Sequence, residues 1–119
     1  MARVRLDTAA MSDWPGFHAE FRRALGFPDF YGANLGAWID CMSYLRAEDA
    51  AGMAAVTLAP DEVLWLEIPN AERWREQVPE MAAALWDCAA FVNRRYVDHG
   101  ESPAVALVPV DAEISRPAT

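Results

Sequence analysis

Apolar residues recur every three or four positions in three stretches of the chain, and each recurrence predicts an amphipathic helix. Trp14, Phe17, Phe21 and Leu25 draw the first stripe. Ser12 and Asp13 offer N-cap oxygens ahead of it, Pro15 suits a first turn and Gly26 is a natural stop. Leu35, Trp38, Ile39, Met42 and Leu45 draw the second, behind Asn34 as its cap. Met81, Leu85, Cys88, Ala89, Val92 and Tyr96 draw the third, opened by Pro79 and running to Gly100. A shorter helix through Trp74 and Gln77 follows Asn70, read as another cap.

Between these lie strand signals. Residues 4–6 alternate within RVRLD; residues 63–68, VLWLEI, are nearly continuous in large apolar side chains and closed by Pro69, which predicts a strand covered on both faces. Residues 104–108 form a third strand after Ser102 and Pro103, and residues 55–58 add a short extended piece before a turn at Pro60 and Asp61. Residues 47–55, small, acidic and glycine-broken, read as a mobile connection. The order is strand, two helices, strand, two helices, strand. Helices long enough for crossovers make this an α/β fold: a small three-stranded parallel sheet with helices packed on it. At 119 residues the chain suits one core, expected as a single domain over 1–110 with a flexible tail at 111–119.

Charge narrows the function classes. A formal net charge of -8 repels phosphate backbones and attracts basic surfaces, so direct binding of nucleic acid or of anionic membranes is not expected. No apolar run is long enough to span a bilayer, and Asp7 interrupts the N-terminal segment before any signal-peptide core; a cytoplasmic protein is expected. Cys41 and Cys88 have neither Cys-x-x-Cys spacing nor a histidine close by in sequence, and read as reduced, packed thiols unless their segments touch.

Catalytic constellations are missing too. The chain has no lysine, which removes a Walker loop and a Schiff base; its two histidines, His18 and His99, read as surface or helix-end residues. Glu48 with Asp49, and Asp61 with Glu62, read as solvated acids. Neither an enzyme nor a cofactor or metal is expected. One acid is placed differently: Asp40 falls off the second stripe, one turn after Gly36 and one before Tyr44, and is expected to be exposed on a rigid helix.

The segment FPDFYGANLGAWIDC resembles the barstar family of intracellular ribonuclease inhibitors. Phe27-Pro28, Phe30-Tyr31-Gly32, Asn34-Leu35, Ala37 and Asp40-Cys41 match the family motif position for position, and the resemblance runs over about residues 4–45. It implies a barstar-like fold and a non-catalytic inhibitor or immunity protein that occludes the active site of a basic ribonuclease or ribonuclease-type toxin. The alternative is an interaction module of the same fold whose partner is not a nuclease. By the resemblance, Asp40 matches an aspartate that is an extreme hot spot in the family's inhibitor, which places a carboxylate where phosphate would sit.

The partner-binding candidates are Phe30, Tyr31, Gly32, Asn34, Gly36, Asp40 and Tyr44. Phe30 and Tyr31 either lie against the partner or fold the loop over the core. Gly32 is expected to hold a backbone conformation closed to other residues. Gly36 stands where the family's best-known inhibitor has a second contacting aspartate, Phe30 lacks a hydroxyl that members often carry, and Arg94 and Arg95 fall in the final helix where that inhibitor contributes a glutamate. Whether Glu48, Asp49, Asp61 or Glu62 replaces the missing charge is left open, as is the identity of the nuclease.

Overall fold

The helix signals translate into elements through their ends. In the computed structural model, which describes residues 2–46 and 54–110, the Asp13 carboxylate accepts from the Gly16 N–H to start α1 (Trp14–Leu25), and Gly26 closes it in the left-handed conformation (φ 66°). Asn34 caps α2 (Leu35–Met42) by accepting from the Ala37 N–H at 2.8 Å. β1 (Ala2–Arg5) precedes α1, and β2 (Leu64–Pro69), α3 (Ala71–Gln77), α4 (Pro79–Asp98) and β3 (Val105–Val110) complete the order, with one 3-10 turn at Thr8–Ala10. The expected connection near residue 50, with Glu48 and Asp49, and the expected tail at 111–119 lie outside the described residues.

The sheet is parallel throughout and ordered β1-β2-β3, so the most apolar strand is central, as the α/β expectation required. Its burial is one-sided. Leu64, Leu66 and Ile68 are fully buried and belong to the core with Phe17, Phe21, Trp38 and Leu85, whereas Trp65 and Glu67 are only half-buried. The expectation of a strand covered on both faces is corrected to one face buried and one partly covered: Arg3 of β1 lies over the Trp65 ring (5.7 Å) and 3.5 Å from Glu67.

Other expectations shift locally. β1 starts earlier than residue 4 and ends at Arg5, with Leu6 still donating to the Glu67 carbonyl (3.0 Å). Residues 55–58 form no strand; their backbone instead bonds to segments outside the sheet, Ala55 N–H to the carbonyl of Leu25 at the end of α1 and Leu58 N–H to that of Leu45 in the turn after α2. Asn70 sits left-handed (φ 51°) and makes no side-chain cap bond. Trp14, placed on the first stripe, is 40% exposed: it meets Phe17 edge-on and stacks on His18 at the rim of the core.

Candidate functional site

The loop between α1 and α2 is held from below by a residue the sequence reading put on the surface. His18 is buried, and its Nδ1 lies 2.5 Å from the Tyr31 hydroxyl. Tyr31 also packs its ring on Phe27 (4.9 Å). Burial, and then the nearby Cys41, push the Tyr31 phenol up, while burial pushes His18 down, so both groups are neutral near pH 7. Tyr31 therefore fastens the loop to the core, and Phe30, 73% exposed, is the aromatic that the loop presents.

The left-handed residue of this loop is Ala33 (φ 51°), not Gly32, which corrects the reading of Gly32. A Cβ on Gly32 would stand 3.1 Å from the Asn34 side-chain nitrogen, so the glycine leaves room for the cap. Asn34 is occupied structurally: its oxygen caps α2 and its nitrogen reaches the Gly32 carbonyl (3.3 Å).

Beyond the cap, α2 presents Gly36 and Asp40 on its exposed side while Trp38, Cys41 and Met42 are buried. The Asp40 side chain is 65% exposed. Cys41 beside it is a free thiol, pushed up by burial and then by Asp40, and therefore protonated and unreactive; Cys88 is free as well. At the far end of α2, Tyr96 of α4 places one hydroxyl between two backbone groups: it donates to the Met42 carbonyl (2.8 Å) and accepts from the Leu45 N–H (3.0 Å). Both ends of the helix bearing Asp40 are thus fixed, one by Asn34 and one by Tyr96.

A second buried clamp lies just past α2. The Arg46 guanidinium, 3% exposed, donates to the carbonyls of Glu62, Ser102 and Pro103 and to the Ser102 hydroxyl, and stacks over the Tyr96 ring (5.2 Å). Of the four acids considered as substitutes for a charge at Gly36, Glu48 and Asp49 lie outside the described residues, while Glu62 accepts from the Ala59 N–H and Asp61 from the Ser102 hydroxyl.

The family model described as Barstar (barnase inhibitor) matches residues 1–108 of this sequence. The chain belongs to the barstar family. That family is one of ribonuclease inhibitors, and the three-stranded parallel sheet with four α-helices accords with the barstar-like fold. No curated protein matches the chain. Among the described residues, no helix is long and apolar enough to cross a membrane.

On this barstar-family scaffold the structure brings Phe30, Gly36, Asp40 and Tyr44 to the exposed surface and engages Tyr31 and Asn34 within the fold. It adds one contact that sequence reasoning missed. Arg95 Nη1 lies 3.7 Å from Asp40 Oδ1 and 3.2 Å from Ser43 Oγ, and the guanidinium sits 5.0 Å from the Phe91 ring centroid. Phe91 and Arg95 stand four apart on α4, a spacing legible in the sequence; their meeting with Asp40, far off in the chain, was not.

Proposed function

We propose that this protein binds a basic ribonuclease and blocks its active site with the loop carrying Phe30 and the exposed side of α2, Asp40 supplying the carboxylate that engages the enzyme's phosphate-binding cations. The observation that carries the reading is Asp40 itself, an exposed acid on a helix fixed at both ends. A preorganised carboxylate loses little freedom when a guanidinium or ammonium closes on it, so charge-assisted, bidentate bonds form at low entropic cost. Exposed Phe30 and Tyr44 flank it as aromatic contacts that bury area at little rotamer cost. Membership of a family of ribonuclease inhibitors supports the same reading. The protein acts as a cytoplasmic, non-catalytic plug without cofactor, whether its target is an enzyme of its own cell or a toxin.

The test is a pull-down with the protein and its Asp40→Ala variant as baits from the cells that encode it. Capture of a small basic ribonuclease by the unaltered protein alone is the expected result. Because Asp40 is exposed, the variant folds, and equal capture by both baits counts against the carboxylate.

Gly36 and the Arg95 contact favour a second reading, an interaction module of the same fold with a partner that is not a nuclease. Both reduce the negative charge offered to a basic cleft. Reproducible capture of one non-nuclease partner, lost on Phe30→Ala or Asp40→Ala, would establish it.

A further inference from the structure

An inhibitor of a uniformly positive cleft gains nothing from a cation beside its key carboxylate, yet Arg95 is built into that position. Phe91 supports the guanidinium from below, and Ser43 anchors it from the side. The Ser43 hydroxyl donates to the Ile39 carbonyl (2.6 Å) and so turns a lone pair toward Arg95. The end of α2, where backbone carbonyls point outward, further favours a positive charge. Arg95 also lines a groove of about 340 Å³ with Ser43, Tyr44, Tyr96, His99 and Glu101. Within it Glu101 lies 3.7 Å from Arg46, and His99 bonds the Arg95 carbonyl at 2.7 Å.

Two consequences follow from a guanidinium at this distance. A cation that approaches Asp40 competes with Arg95 for the carboxylate, and it is itself repelled by Arg95. For half-exposed charges the two effects together weaken binding of a purely basic cleft by about tenfold or more. A target that sets a carboxylate against Arg95 reverses the sign: it removes the repulsion and draws the guanidinium aside from Asp40.

We propose that Arg95 makes this face bipolar and thereby sets its specificity: the face accepts a ribonuclease that offers a cation to Asp40 and an acidic side chain to Arg95 at the groove, and rejects one whose cleft is positive throughout. This rests on the inhibitor reading above. Gly36 fits it, since a second acid on α2 serves only an all-positive target.

Barnase, the enzyme in the family's description, serves as the probe of a ribonuclease that brings cations to Asp40, with titration calorimetry on the unaltered protein, Arg95→Ala, Arg95→Glu and Asp40→Ala, each first shown folded by its thermal transition. Arg95→Ala is expected to bind barnase about tenfold tighter than the unaltered protein, and Arg95→Glu tighter still. The ribonuclease captured in the pull-down should behave oppositely, with Arg95→Glu binding it at least tenfold more weakly, an effect abolished when one carboxylate of that ribonuclease is changed to its amide. If Arg95→Glu gains nothing on barnase and holds the captured enzyme unchanged, the specificity role is overturned, while sensitivity to Asp40→Ala keeps the inhibitor reading. If no bait captures a ribonuclease and no variant binds barnase, both readings fall.

Discussion

At the scale of single residues, the polar groups that shape this protein are buried ones. Glu20, 4% exposed, accepts from both the Arg23 side chain and the Asp7 N–H. Burial opposes its ionisation, but those donors and the Arg23 charge outweigh it and hold the carboxyl below the ordinary 4.5. Its contribution is therefore complete above pH 4.5 and lost as pH falls from there through the lowered folded value. His18 is also held down, from 6.5, so the unfolded chain takes up a proton first, and stability declines as pH drops below about 6.5. Denaturation midpoints measured across pH should descend twice, with His18→Gln lacking the first descent and Glu20→Gln showing a shallower second one, since Glu62, held below 4.5 chiefly by the Ala59 N–H, still contributes to it. The loop residues separate in the same way. Tyr31→Phe should destabilise by about 1 kcal/mol through the lost bond to His18, whereas Phe30→Ala should leave stability within about 0.5 kcal/mol and weaken only partner binding, as urea unfolding and titration would show. Neither His18 nor Tyr31 announced this role in sequence, because their bond joins two elements, and single-chain periodicity sees only one at a time.

At the scale of elements, what was legible had local causes. Asp13, Gly26 and Asn34 act within one turn of themselves, and the ends of α1 and the start of α2 came out where capping chemistry placed them. Asp40 was placed on the exposed side by the same short-range geometry. The far end of α2 was not legible: the stripe ran on to Leu45, but the helix stops at Met42 because Tyr96 takes up the Met42 carbonyl and the Leu45 N–H. Tyr96 read simply as a core residue of the last helix. Tyr96→Phe strips both bonds while keeping the ring, so a loss of about 1–3 kcal/mol is expected, with amide exchange accelerated at Leu45 before α1. Asn34→Ala, removing the opposite fastening, should cost about 1 kcal/mol by thermal denaturation. β2 shows the converse limit of the sequence reading. Trp65 counts as apolar in any pattern, yet its companions across the sheet are Arg3 and Ala106, and no pattern along β2 alone carries that information.

At the scale of the whole molecule, charge and connectivity act together. The net charge of -8 should speed encounter with a basic enzyme, and its association rate with the captured ribonuclease should fall at least tenfold from low to high salt. Arg46 joins three separated parts of the chain through five donor bonds. Its truncation to alanine should cost about 3 kcal/mol in urea unfolding, far more than any surface arginine. The fastening of α2 by Tyr96 reaches further, into the moment of synthesis. Leu45 and the hydroxyl that secures it are separated by 51 residues. A ribosome adding about 5–20 residues each second leaves the Asp40 helix without its distal anchor for several seconds after it emerges. If the protein works as proposed, a nascent chain that already carries the loop and α2 is a poorer plug than the finished protein, and inhibition would begin only when α4 has been translated and docked.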